Sequence, residues 1–140
     1  NISKLVNFHL KNKFDIVVPH SPMDEEDAKS REIVKLVVDK KNKVVYFSRS
    51  LVPYTYKKKP KYFLKHMSII SFSKKSLEKF SSLKVGDIEK IEGVELMRAI
   101  ENDINIGSFL IKKDIFSVDV KKDYLRSVDL MPNDKIRKKY

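Results

Sequence analysis

Apolar positions along the chain change period several times, and each change marks an element. Ile2, Leu5, Val6 and Leu10 recur at helical spacing and predict a short helix over 2–12. FDIVVPH (14–20) reads as a strand stopped by Pro19. SPMDEEDAKSRE (21–32) is polar and reads as a loop or short helix. IVKLVVD (33–39) and KVVYFSR (43–49) form an antiparallel hairpin around DKKNK, a turn sequence. YFLKHMSIISF (62–72) is mostly apolar and predicts one central strand. SKKSLEKFSSL (73–83) is helical, with Leu77, Phe80 and Leu83 inward. Asp87 caps a helix over about 88–102, INIGSFLIKK (104–113) is a strand, and a last helix runs over about 120–131. Strands interleaved with helices indicate an α/β fold. At 140 residues the chain reads as a single domain, 1–140.

Composition narrows the classes. No apolar run is long enough to span a membrane, and no signal-peptide pattern opens the chain. With no initiator Met, it reads as a segment of a longer protein. The absence of cysteine excludes disulfides, thiolate metal sites and a cysteine nucleophile, and fits a cytoplasmic location. The net charge of +11 favours anionic partners, although the lysines are spread along the whole length. The densest patch, YKKKPKY (56–62), is flanked by aromatics as in a single-strand binder, but reads equally as a solvated loop. The three glycines are isolated, so there is no Gly-rich phosphate loop.

Four polar positions stand out. Arg49 closes a strand in a chain whose positive charge is mostly lysine. His66 sits in an apolar strand, either as a satisfied core histidine or as a hydrogen-bonding group facing a ligand. Glu95 falls on the helical face of Ile88, Ile91 and Ala99, either in an ion pair with Arg98 or in use at a site. Asp119 precedes the last helix, as an N-cap or as an oxygen ligand for a hard cation.

In this order, these residues resemble the C-terminal half of the 3-deoxy-manno-octulosonate (KDO) cytidylyltransferases, the CMP-KDO synthetases. The resemblance rests on KLVVDKKNKVVYFSRSLVPY (35–54), YFLKHMSIISF (62–72), DIEKIEGVELMRAI (87–100) and SVDVKKDYLRSVDLM (117–131). It implies the C-terminal part of a Rossmann-like nucleotidyltransferase, with a mixed sheet, a protruding hairpin and a homodimer formed around that hairpin. It implies transfer of CMP from CTP to a 2-keto-3-deoxy sugar acid, with release of pyrophosphate and a requirement for Mg²⁺, in lipopolysaccharide or surface-glycan synthesis. Arg49, His66 and Glu95 match sugar-site positions, and Asp119 matches a metal ligand. An arginine suits a carboxylate through its planar fork.

Leu96 replaces a usual Gln, and Ser68, Ile69, Ile70, Ser71 and Phe72 replace a Gly-Ile-Tyr-Gly-Tyr run, so the sugar is open within the 2-keto-3-deoxy class. Val120 and Lys121 stand where Thr and Pro are usual. The family's CTP-binding half is absent from 1–140, and the expectation is that the chain alone is inactive. The competing reading is a basic α/β binding module holding nucleic acid or another anionic partner through YKKKPKY and the C-terminal IRKKY. The family reading makes nucleic acid the less favoured partner.

Overall fold

The computed structural model describes residues 2–112, 118 and 121–133. Helix α1 (Ile2–Lys11) leads into strand β1 (Ile16–Met23), the short helix α2 (Glu25–Ala28) and the hairpin β2 (Lys35–Val38) and β3 (Val44–Ser48). Strands β4 (Phe63–His66) and β5 (Ser71–Phe72) follow, then helices α3 (Lys74–Ser82), α4 (Asp87–Glu92) and α5 (Met97–Glu101). Strand β6 (Ile106–Leu110) and helix α6 (Lys121–Leu130) complete the described elements.

The six strands form one mixed sheet. β1 is its hub: it pairs antiparallel with β4 and β5 and parallel with β6. β2 joins β4 to β3, both antiparallel. Side chains alternate between sheet faces, so register assigns the layers. Ile16, Val18, Leu36 and Phe47 face Val94, Leu96, Met97 and Ala99 of the α4–α5 region, with Phe72 and Phe80 packed alongside. On the other face Phe109 stacks on Phe8 of α1 at 4.8 Å. The sheet is thus covered by helices on both sides.

Three expected boundaries move, each for an identifiable reason. β1 is not stopped by Pro19. The carbonyl of Pro19 accepts from Met67 N, and its ring nitrogen faces the same edge, between the segments paired with β5 and β4. A missing donor there breaks no ladder. The single strand expected over 62–72 is two, β4 and β5, because the chain turns at Ile69 N–Met67 O before pairing with β1 again. The helix expected over 88–102 is broken at Gly93, which takes a left-handed φ of 61° as the C-cap of α4. Gly86, not Asp87, is its N-cap. Leu77, expected inward, is half exposed, whereas Phe80 and Leu83 pack on the core.

The β2–β3 turn is built by side chains. Asp39 Oδ1 accepts from Lys41 N (2.7 Å) and Lys43 N (2.9 Å), and Asn42 adopts φ 63°. Asn42 O then accepts from Ser108 N, which ties the hairpin tip to β6. Next to it, a Cβ on Gly107 would overlap the Phe14 ring. Gly107→Ala is therefore expected to destabilise the fold by about 1–3 kcal/mol through overpacking, read as a lower urea midpoint. An unchanged midpoint would show that the ring moves aside freely.

Candidate functional site

Extending the register shows what the face that holds Ile16, Leu36 and Phe47 carries at one end of the sheet. Ser48 pairs with Lys35 and Lys35 with Lys65, so Arg49, Val34 and His66 lie side by side. His66 N donates to Val34 O at 2.9 Å, as this alignment requires. His66 in turn lies opposite His20. A row of Arg49, Val34, His66 and His20 thus crosses four strands at the margin of an apolar face.

Arg49 is held tightly. Its Nε donates to Glu92 O (3.0 Å), its Nη1 to Arg31 O (3.0 Å) and Glu32 O (3.4 Å), and its Nη2 to Gly93 O (3.3 Å). Four of its five N–H donors are therefore occupied. Its backbone N–H donates to Glu92 Oε2 at 2.9 Å, and Ser48 and Tyr46 donate their hydroxyls to Glu92 Oε1. The break at Gly93 makes this possible, because it exposes helix-end carbonyls to the guanidinium. A carboxylate forked on Arg49 would have to displace protein carbonyls; a single Nη2 N–H is left for a ligand.

Beside it, Lys29, Arg31, Arg49, Ser50, Leu51, Ile91 and Glu92 line an open cleft. Three of these side chains are cationic. Lys35, fully buried on the opposite face, donates to Ser30 O (2.7 Å), Ile33 O (2.7 Å) and Arg49 O (2.5 Å), fixing the cleft floor. Burial, with Arg49 nearby, lowers its pKa from the ordinary lysine value.

His66 is half-buried, its ring edge-on to Phe47 at 5.3 Å. Its Nε2 is buried with no described hydrogen-bond partner. Desolvation lowers its pKa to about 4, so the ring is neutral at pH 7.

Glu95 is exposed on the turn after Gly93, not on an apolar helical stripe. Its expected partner Arg98 instead grips Glu89, with Nε to Oε2 at 2.6 Å and Nη2 to Oε1 at 2.5 Å. The 100° spacing that put Glu95 inward assumed a continuous helix through Gly93. Asp119 lies outside the described residues. Among those residues, no group of three or more His, Cys, Asp or Glu side chains could hold a metal ion.

The structure thus brings Arg49 and His66 onto one row and leaves Glu95 exposed on the turn after Gly93, outside the residues that line the cleft. Sequence reasoning missed Glu92, Lys35 and His20. Glu92 carried a signal in the helical glutamate spacing; for His20, register was needed. In the basic loop, Lys59 pairs with Glu25, while Tyr54 and Tyr56 are exposed.

A cytidylyltransferase family model matches residues 1–114. The 3-deoxy-manno-octulosonate cytidylyltransferase of Rickettsia rickettsii (strain Sheila Smith) is 38% identical over 133 residues, covering 95% of this chain and 54% of the relative. The protein of the same name from Rickettsia africae (strain ESF-5) is 36% identical, with 95% and 52% covered. The chain spans about half the length of the curated relatives it matches. A solved structure of a CMP:2-keto-3-deoxy-manno-octonic acid synthetase complexed with CTP superposes with a TM-score of 0.88. At 24% identity it covers 94% of this chain and 55% of that one, and it shows the shared fold.

Proposed function

The chain belongs to the cytidylyltransferase family, and from that premise we propose that it is part of an enzyme that transfers CMP from CTP to KDO or a related 2-keto-3-deoxy sugar acid. In this reaction the anomeric oxygen of the sugar bonds to the α-phosphorus of CTP. The α–β phosphoanhydride bond breaks, pyrophosphate leaves, and the hydroxyl proton is lost. In this reading the present chain supplies the sugar-acid side. The observation that carries it is the row of Arg49, Val34 and His66 at the sheet margin: Arg49 lines a cationic cleft, and two strands away the buried His66 Nε2 has no described partner.

Positive charge on Lys29, Arg31 and Arg49 attracts the carboxylate. Arg49 also holds the cleft wall through Glu92 and Gly93, so its role is as much positioning as binding. Neutral His66 orients a sugar hydroxyl without adding charge. Glu95, exposed on the turn that follows Gly93, offers a carboxylate oxygen to another hydroxyl. Asp119 would be a residue that holds Mg²⁺, whose charge would offset that on the phosphates of CTP. The described residues do not form a metal site by themselves. A homodimer, a cytoplasmic location and a role in surface-glycan synthesis belong to the same reading. No helix among the described residues is long and apolar enough to cross a membrane.

Calorimetric titration separates the sugar side from the nucleotide side. KDO is expected to bind the chain saturably, and CTP not to bind it. Arg49→Ala is expected to weaken KDO binding roughly tenfold or more, the scale of losing charge-assisted hydrogen bonds. Unaltered KDO affinity in a folded variant removes Arg49 from the site. Absence of KDO binding by the unmodified chain contradicts the reading.

A further inference from the structure

His20 lies on the row beside His66, and its ring is fixed from behind. Ser108 donates its hydroxyl hydrogen to Val18 O at 2.8 Å. The 2.7 Å contact between Ser108 Oγ and His20 Nδ1 must then use the imidazole hydrogen, with Nδ1 as donor. The neutral ring therefore carries its proton on Nδ1 and presents a bare lone pair at Nε2, which no described group meets. His20 is only 6% exposed, and Val18 and Ile106 belong to the apolar cluster behind it. A tautomer held this firmly, next to a second imidazole whose Nε2 is buried and meets no described group, makes a pair of hydrogen-bonding points on a dry surface.

We propose that His20, held by Ser108, is a specificity-determining residue of the sugar-acid site. Its Nε2 accepts from one hydroxyl of a polyhydroxy acid, while His66 Nε2 takes an adjacent hydroxyl. Directly opposed residues on antiparallel strands have Cβ atoms about 5 Å apart, a spacing that two neighbouring hydroxyls can bridge. A ligand lacking one of those hydroxyls leaves a buried imidazole nitrogen unmet and is rejected. This inference rests on the sugar-acid reading above.

The test is histidine ¹⁵N NMR of the 140-residue chain at pH 7.5, titrated with KDO. The free chain is expected to show His20 as the Nδ1–H tautomer. KDO is then expected to shift the Nε2 signals of His20 and His66 along one binding curve. His20→Asn keeps an amide near Nδ1 but has nothing at Nε2, and should weaken KDO roughly fivefold to tenfold. His20→Gln reaches the Nε2 position and should recover most of that loss. Should His20→Asn fail to fold, Ser108→Ala replaces it: released from its anchor, His20 should show mixed tautomers and weaker KDO binding. If KDO shifts His66 but neither variant changes its affinity, the role of His20 is overturned and the sugar site stands. If KDO binds the unmodified chain nowhere, both fall.

Discussion

Phe47→Ala is expected to cost about 3–5 kcal/mol of folding stability, the range for deleting a fully buried aromatic side chain. Phe47 is 0% exposed and joins β3 to the apolar cluster that holds Ile16, Leu36 and Met97. It also forms the wall against which His66 sits edge-on. Its removal therefore opens a cavity beneath the row and lets water reach the imidazole. Urea denaturation should show a lower midpoint, and the His66 pKa should climb back toward its ordinary value. A loss below about 1 kcal/mol would mean that the site has collapsed to fill the space.

The second large effect is with pH. Burial lowers both His20 and His66 to about 4, against 6.5 when unperturbed. Between these values the unfolded chain binds protons that the folded chain refuses, so folding stability rises with pH across this window. The contribution is complete above about pH 6.5 and is lost as pH falls toward 4. A fully desolvated histidine with this shift would contribute about 3 kcal/mol. Neither ring is wholly enclosed, so the two together are expected to give a few kcal/mol. Glu89 acts lower on the scale: its hydrogen bonds from Arg98 depress its pKa below 4.5, so its contribution is lost only as pH falls through the acid carboxylate range. Urea titrations at pH 7.5, 5.5 and 4.5 should show a steep fall that a His20→Gln, His66→Gln double variant flattens. Equal stability at pH 7.5 and 4.5 would show that neither ring is held neutral by burial.

Local pattern made most elements legible, because each depends on side chains close in sequence. The hairpin could be read from Asp39 to Lys43, where one carboxylate and one Asn build the turn. What escaped was set by tertiary context. The path of β1 through Pro19 depends on where β4 and β5 end, which no local pattern states. The break at Gly93 was foreseeable from the glycine, but its consequence was not. It turns Glu95 outward and gives Arg49 the carbonyls of Glu92 and Gly93. Arg49 and His66 were visible as residue types out of place; the row that unites them with His20 follows only from register. Arg49 changes most in meaning, from an open fork for a carboxylate to a guanidinium largely occupied in shaping the cleft.

The central claim is that this chain supplies the sugar-acid side of a CMP-transferring enzyme. It is tested most directly by fusing the chain to the part of the Rickettsia rickettsii relative that it does not cover, and measuring pyrophosphate release with Mg²⁺. The account predicts release only when CTP and KDO are both present, none from the 140-residue chain alone, and a strong loss with Arg49→Ala. A folded fusion that binds CTP but releases no pyrophosphate with any 2-keto-3-deoxy sugar acid would contradict it.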